Sequence, residues 1–259
     1  MDLGLKGKRA LVLSSSRGLG KASAESLAAE GAEVFMTARS ADKLEETVKA
    51  INAKGGKAHA YAADLTNDAD KIYEAAVAAM GGVDILIANT GGPPARVAAE
   101  VEPEDWTPQF EAMVKPVFRL AQLALPGMRE RGWGRIVTIA SSGVIQPIPN
   151  LAMSNALRSA IVGWAKTLAS EVAKDGITVN LVLPGRIETD RTKELDQANA
   201  KRSGKSPEDV AAASRAAIPA DRYGTTEEFG DVVCFMASDR ASYMTGGLIR
   251  VDGGSIRSV

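Results

Sequence analysis

A doubly wound α/β sandwich of three layers, with a seven-stranded parallel sheet in the middle, is predicted by three observations. Short β-type runs alternate with helix-length stretches from one end of the chain to the other. Several of those runs are almost continuously apolar, as strands buried on both faces must be. The 259 residues, 45% of them hydrophobic, suffice for one large core, and no stretch is set apart as a second domain. Together these describe a Rossmann-type α/β fold spanning residues 1–259 as a single domain.

The elements follow in order. Arg9-Ala-Leu-Val-Leu13 is the first strand, a helix runs from about Gly18 to Glu30, and Glu33-Val-Phe-Met-Thr37 is the second strand. This is the βαβ rhythm of a parallel sheet. Next come a helix over Asp42 to Ala53, a strand over Lys57 to Ala62, a helix over Asp68 to Ala79, and the apolar strand Val83-Asp-Ile-Leu-Ile-Ala88. A long helix is expected around Glu104 to Arg131, with a kink suggested by Pro116. The strand Arg135 to Ile139, a helix over Leu151 to Ala173, the strand Thr178 to Leu183 and a last strand Leu248 to Val251 complete the sheet. The polar stretch from Thr189 to Ser206 shows little periodicity and reads as a mobile lid, extending to about residue 217.

Composition narrows the partners. A net charge of −1 offers no field to gather nucleic acid or an anionic membrane, so a small molecule is the expected ligand. The single cysteine, Cys234, lies in the apolar run Asp231 to Met236 and reads as a buried small hydrophobe. One histidine, His59, in a strand-like stretch, cannot build a His-based metal site or a Ser-His-Asp triad, and no metal is expected. The chain shows no membrane span and no signal-like start, which points to the cytoplasm.

The first strand runs directly into Ser14-Ser-Ser-Arg-Gly-Leu-Gly20 and then into a helix. Backbone N–H groups at such a helix start face outward with the helix dipole behind them, which suits a phosphate, and Gly18 and Gly20 allow close approach. A tight connection capped by serines would use similar residues. The place of this turn, after the first strand and before the first helix, favours a dinucleotide.

With these residues the chain resembles the short-chain dehydrogenase/reductases, and among them the β-ketoacyl carrier-protein reductases and their divergent relatives. The family turn, Thr-Gly-x-x-x-Gly-x-Gly, falls on Leu13 to Gly20, with Ser14 in place of its first glycine and Ser16, Arg17, Gly18 and Leu19 completing the loop. Asp64-Leu65 matches the family's adenine-binding segment, and Ala88-Asn89-Thr90-Gly91 stands for Asn-Asn-Ala-Gly. Pro184-Gly185-Arg-Ile187-Glu-Thr189 matches the segment that holds the nicotinamide carboxamide in relatives. Tyr243 to Gly254 fits the family's closing strand, and the resemblance implies a homodimer or homotetramer. The second strand ends in Thr37-Ala38-Arg39, without the carboxylate that would bond a ribose 2′-hydroxyl. Arg39 and Arg17 would instead pair with a 2′-phosphate, so NADP(H) is the expected cofactor; each alone could equally be a solvated surface arginine.

The resemblance weakens at the catalytic centre. The family pattern is Ser, then Tyr-x-x-x-Lys, with an Asn earlier. Ser141 falls on the serine, but Ser154 stands for the tyrosine, Arg158 for the lysine and Met113 for the asparagine. Residues four apart share one helical face, so Ser154 and Arg158 are expected to point together into the cleft. A serine is a far weaker acid than a phenol, and a guanidinium gives up no proton at neutral pH, so the usual proton relay is lost. Arg186, Glu188 and Arg191 follow the Pro-Gly pair as candidates for an anionic substrate group, or as solvated lid residues, and Lys115 is a weaker candidate. The expected activity is an NADP(H)-dependent oxidoreductase acting on a carbonyl or secondary alcohol. The alternatives are a non-redox lyase resembling the halohydrin dehalogenases, which carry Arg at the same position, and an NADP(H)-binding protein with weak catalysis.

Overall fold

The computed structural model describes residues 1–258. Seven parallel strands form one sheet: β1 (Arg9–Val12), β2 (Glu33–Ala38), β3 (Lys57–Ala62), β4 (Ile85–Ala88), β5 (Gly134–Ile139), β6 (Ile177–Pro184) and β7 (Leu248–Val251), in the spatial order β3-β2-β1-β4-β5-β6-β7. All six pairings are parallel. On one face lie α1 (Gly18–Ala29), α2 (Ala41–Ala53) and α9 (Thr226–Met236); on the other, α3 (Ala69–Met80), α5 (Lys115–Arg131) and α6 (Ala152–Val172).

The pleat explains why the strands are apolar throughout. In β1 and β4, Ala10, Val12, Ile85 and Ile87 enter the core shared with Leu27, Leu44 and Phe229. Their neighbours Leu11, Leu86 and Ala88 enter the opposite core with Ile72, Leu120 and Ile161. Two cores with one sheet between them therefore need apolar residues at consecutive positions. His59, on the edge strand β3, is paired through Nε2 with Glu33 Oε1 at 2.8 Å. Cys234 is buried, and burial pushes its thiol pKa up to about 12, so it is inert packing.

Two segments depart from the sequence reading. The long helix expected over Glu104 to Arg131 is two, α4 (Pro103–Met113) and α5, separated at Val114. Pro116 has no N–H to continue the α4 ladder and its ring opposes the carbonyl four residues back, so the helix stops and restarts with Pro116 in the first turn. The supposedly irregular stretch after Thr189 is helical: α7 (Asp190–Ser203) and α8 (Pro207–Ala216). Thr189 Oγ1 accepts from the Thr192 N–H at 3.3 Å and Ser206 Oγ from the Asp209 N–H at 3.1 Å, capping the two helices. The buried positions of α7 are Thr192, Asp196 and Ala200, a regular four-residue stripe written without one large apolar side chain.

The strand order reverses between β1 and β4, whose C-terminal ends face the same side. A crevice opens there, as it does in open parallel sheets at the point where successive connections leave in opposite directions.

Candidate active site

That crevice is a cleft of about 900 Å³. Along it lie Ser14, Ser16, Arg17, Gly18 and Leu19 from the first turn, Arg39 after β2, Asp64 and Leu65 after β3, and Asn89 and Gly91 after β4. Ser141 after β5, Ser154 and Arg158 on α6, and Pro184, Gly185, Ile187 and Thr189 after β6 complete the line. Residues scattered over 176 positions are thus gathered because each lies just after a strand at the same end of the sheet or, for Ser154 and Arg158, in the first two turns of α6. Gly20 is the exception. It lies behind the cleft, where a methyl group on it would stand 2.6 Å from the Ser14 carbonyl oxygen and 2.8 Å from Asn89 Nδ2.

The turn is held by contacts the sequence reading passed over. Ser14 adopts φ +48°, a left-handed conformation in which a glycine would be unstrained. Ser15, fully buried, donates from its hydroxyl to Val12 O at 2.9 Å and accepts from the Thr37 N–H at 3.1 Å, bolting the turn to β2. Asn89 Nδ2 donates to Ser14 O at 3.2 Å, tying the turn to the end of β4. The middle serine of three carries no distinguishing local pattern, and the motif that marks Asn89 does not tell that it bonds the turn, so only the fold reveals these roles.

At one end of the cleft, Arg17, Arg39 and Lys43 supply three cations with no carboxylate at the end of β2. Arg17 makes an exposed ion pair with Asp190 at 3.4 Å, joining the turn to the start of α7. Such a pair contributes at most about 1 kcal/mol and yields readily to a phosphate. Asp64 accepts from the Thr66 N–H at 3.0 Å, which fixes its carboxylate.

At the other end, Ser141 Oγ accepts from the Gly143 N–H at 3.1 Å. Asn155 Nδ2 donates to Ile148 O at 2.9 Å, so α6 anchors the loop that follows Ser141. Ser154 is 9% exposed and its hydroxyl has no hydrogen-bond partner among the described residues. Arg158, 7% exposed, donates from Nη1 to Ile139 O at 2.9 Å, and Nη2 lies 3.4–3.5 Å from the carbonyls of Thr90 and Gly91. Burial, with a further push from the charge of Arg191, lowers its pKa to about 10, so it remains a cation at neutral pH. None of Tyr61, Tyr73, Tyr223 and Tyr243 lines the cleft. Met113 is buried in the core, and Ala112 meets the cleft instead.

Among the remaining candidates, Arg186 is already committed: Nη1 pairs with the buried Asp196, whose other oxygen accepts from Tyr223 OH at 2.9 Å. This network, absent from the sequence reading, seats α7 on the loop after β6. Glu188 is exposed and Lys115 lies outside the cleft, bonded to Glu111 at 3.2 Å. Arg191 reaches the cleft. Among the described residues, no helix is long and apolar enough to cross a membrane.

Residues 13–255 match the family model described as enoyl-(acyl carrier protein) reductase. The chain is 36% identical over 256 residues to the 3-oxoacyl-[acyl-carrier-protein] reductase FabG of Escherichia coli, covering 97% of this chain and 98% of that one. It is 33% identical over its whole length to the uncharacterized oxidoreductase YvrD of Bacillus subtilis. Among solved structures, L-sorbose reductase from Gluconobacter frateurii, complexed with NADPH and L-sorbose, is similar with a TM-score of 0.94 and 33% identity, each chain covered in full. YwfH, an NADPH-dependent reductase involved in bacilysin biosynthesis, has a TM-score of 0.92 and 28% identity, with 97% of this chain and all of that one covered. With family match, relatives and sheet order in agreement, the chain belongs to the short-chain dehydrogenase/reductase family.

Proposed function

We propose that the protein is an NADP(H)-dependent oxidoreductase, similar to 3-oxoacyl reductases, that interconverts a carbonyl and a secondary alcohol with Ser141, Ser154 and Arg158 at the reacting oxygen. The observation that carries this reading is the pairing of an unpartnered serine hydroxyl with a buried guanidinium in the same cleft as the glycine turn. The residues present fit the dinucleotide. Gly20 leaves no space for a side chain behind the turn, and Ser14, Ser16, Arg17, Gly18 and Leu19 line the cleft in front of it. Ser16, Arg17, Gly18 and Leu19 would hold the pyrophosphate, Arg39 and Arg17 the 2′-phosphate, Asp64 and Leu65 the adenine, Asn89 and Gly91 the adjoining ribose region, and Pro184, Gly185, Ile187 and Thr189 the carboxamide.

Bound there, the nicotinamide would supply or accept a hydride. The chain's own task is at the oxygen, where negative charge develops on reduction. Hydroxyl donors from Ser141 and Ser154 and the fixed charge of Arg158 stabilise that charge, and a donor of this kind lowers a barrier by about 2.7–4 kcal/mol. The proton that completes the alcohol comes from water, since neither Ser154 nor Arg158 releases one at neutral pH. Lacking a tuned acid costs roughly 10²–10⁴ in rate, which makes this a slow or specialised reductase.

A second reading, an NADP(H)-binding protein with little catalysis, is favoured by the absence of any tyrosine from the cleft. Titration with NADPH, followed by its absorbance loss against β-ketoacyl, diketone and quinone compounds, separates the two. Consumption of one class supports the reductase; tight binding with no consumption supports the second. Halide release from a vicinal haloalcohol without nicotinamide would favour the lyase. The reading includes one domain over 1–259, with residues 189–217 covering the cleft, and a homodimer or homotetramer, for which the exposed Tyr243, Met244 and Leu248 near the closing strand supply apolar surface.

A further inference from the structure

Beyond Ser154 the cleft carries positive charge that a neutral carbonyl compound does not balance. Among the described residues Arg158 meets only backbone carbonyls, those of Ile139, Thr90 and Gly91, and none of their carboxylates lies within ion-pair distance of it. A second guanidinium comes from the opposite wall. Arg191, in the first turn of α7, donates from Nη2 to Pro93 O at 2.9 Å, and a methyl group on Gly92 would lie 3.6 Å from that nitrogen. Both arginines therefore converge on the segment 90–93, Arg158 from α6 and Arg191 from α7. They are near enough for the charge of Arg191 to lower the affinity of Arg158 for its proton.

The acids in reach leave this charge largely uncompensated. Glu194 stands 3.5 Å from Arg191 Nη1, with the two side chains 43% and 55% exposed, a pair worth little in water. Asp190 turns away to Arg17, and Asp196 is taken by Arg186 and Tyr223. Two cations against one weakly held carboxylate leave about one positive charge, and the neighbouring walls are apolar, from Pro147, Ile148, Leu151 and Leu195. Burying a cation without a counter-ion is costly, and a ligand that supplies the missing charge recovers that cost.

We infer that this end of the cleft is a carboxylate subsite, so that the substrate is a keto acid whose carboxylate Arg191 holds while its carbonyl oxygen meets Ser141, Ser154 and Arg158. A single negative charge matches the excess, and a planar carboxylate presents two oxygens to the guanidinium fork. A dianionic phosphate would overcompensate. Because Arg191 belongs to α7, the bound carboxylate also draws the cover onto the cleft. The assignment deepens the carbonyl-reductase reading and rests on it for the position of the carbonyl, while the anion site can be measured by itself.

Two measurements test it. In the first, kcat/KM with NADPH is compared between 2-oxo and 4-oxo carboxylates of graded length and their methyl esters. Wild-type protein is expected to prefer the acid at least tenfold, Arg191→Ala to remove most of that ratio, Arg191→Lys to restore part of it, and Lys115→Ala, outside the cleft, to leave it unchanged. In the second, butanoate to hexanoate, their methyl esters and inorganic phosphate are titrated calorimetrically into the protein saturated with NADP. Tenfold tighter binding of the carboxylate, lost in Arg191→Ala, supports the subsite even if no compound is reduced, in which case the redox reading alone fails. Equal binding of acid and ester, tighter binding of phosphate, or an acid-to-ester ratio unmoved by Arg191→Ala overturns the assignment.

Discussion

Replacing Gly20 with Ala places one methyl group against the underside of the turn. Its carbon would stand 2.6 Å from Ser14 O, 2.8 Å from Asn89 Nδ2 and 3.1 Å from Leu13 O, where ordinary contact begins at 3.4 Å. Two of these three atoms are backbone, so relief requires the turn itself to move by about 0.8 Å, the deficit at Ser14 O. Overpacking of this kind costs about 1–3 kcal/mol, and displacing Ser14 O also breaks the bond from Asn89, worth about 1 kcal/mol. At about 2–4 °C per kcal/mol for a chain of this size, Tm should fall by about 4–16 °C. NADPH affinity, measured by fluorescence titration, should fall at least tenfold, because the displaced atoms belong to the wall that would meet the pyrophosphate. Gly163→Ala supplies the contrast: that glycine lies within α6 with nothing inside 4 Å of an added methyl, and Tm should rise by about 1–4 °C from improved helix propensity alone. An unchanged Tm and an unchanged NADPH affinity in Gly20→Ala would refute the reasoning, since the turn would then neither be tight nor touch the cofactor.

Other expectations follow from the same geometry. Ser14→Gly relieves a left-handed φ of +48° and should stabilise the protein by about 0.5–1 kcal/mol, the strain relieved less the added freedom of the unfolded chain; a lower Tm in a thermal melt would contradict it. Arg39→Ala should weaken NADPH about tenfold while changing NADH less than about threefold, because only the former carries the 2′-phosphate; equal losses would place Arg39 elsewhere in binding. Turnover should hold from about pH 7 to 9 and fall above about 10, where Arg158 loses the proton that gives it charge. The sign is fixed: a required cation acts below its pKa, so activity that rises through pH 10 would argue against it.

The strands and the turn could be read in the sequence because their chemistry is local: consecutive apolar residues for strands covered on both faces, and glycines where a strand meets a helix. The pairing of Ser154 and Arg158 was legible for the same reason, since four residues make one helical turn. The helix α7 was not, because its buried stripe of Thr192, Asp196 and Ala200 is polar or small, and Asp196 is tolerated inside only through Arg186 and Tyr223. The break at Val114 was partly visible in Pro116. The roles of Ser15, Asn155 and Arg186 depend on partners brought near by the fold: Thr37 is 22 positions from Ser15, and Asn155 is seven positions from Ile148, across a loop and a helix start. No short pattern encodes such pairings.

The central claim is that Arg158 serves the oxygen of a carbonyl in the cleft that holds the dinucleotide. Arg158→Ala tests it most directly, with NADPH consumption measured on the best carbonyl substrate and Tm recorded beside it. Losing the guanidinium should lower kcat/KM by about 10²–10³ while the fold persists, because the buried charge has no acidic partner to strand. An unaltered kcat/KM in a folded variant would contradict the account and move the chemistry away from α6.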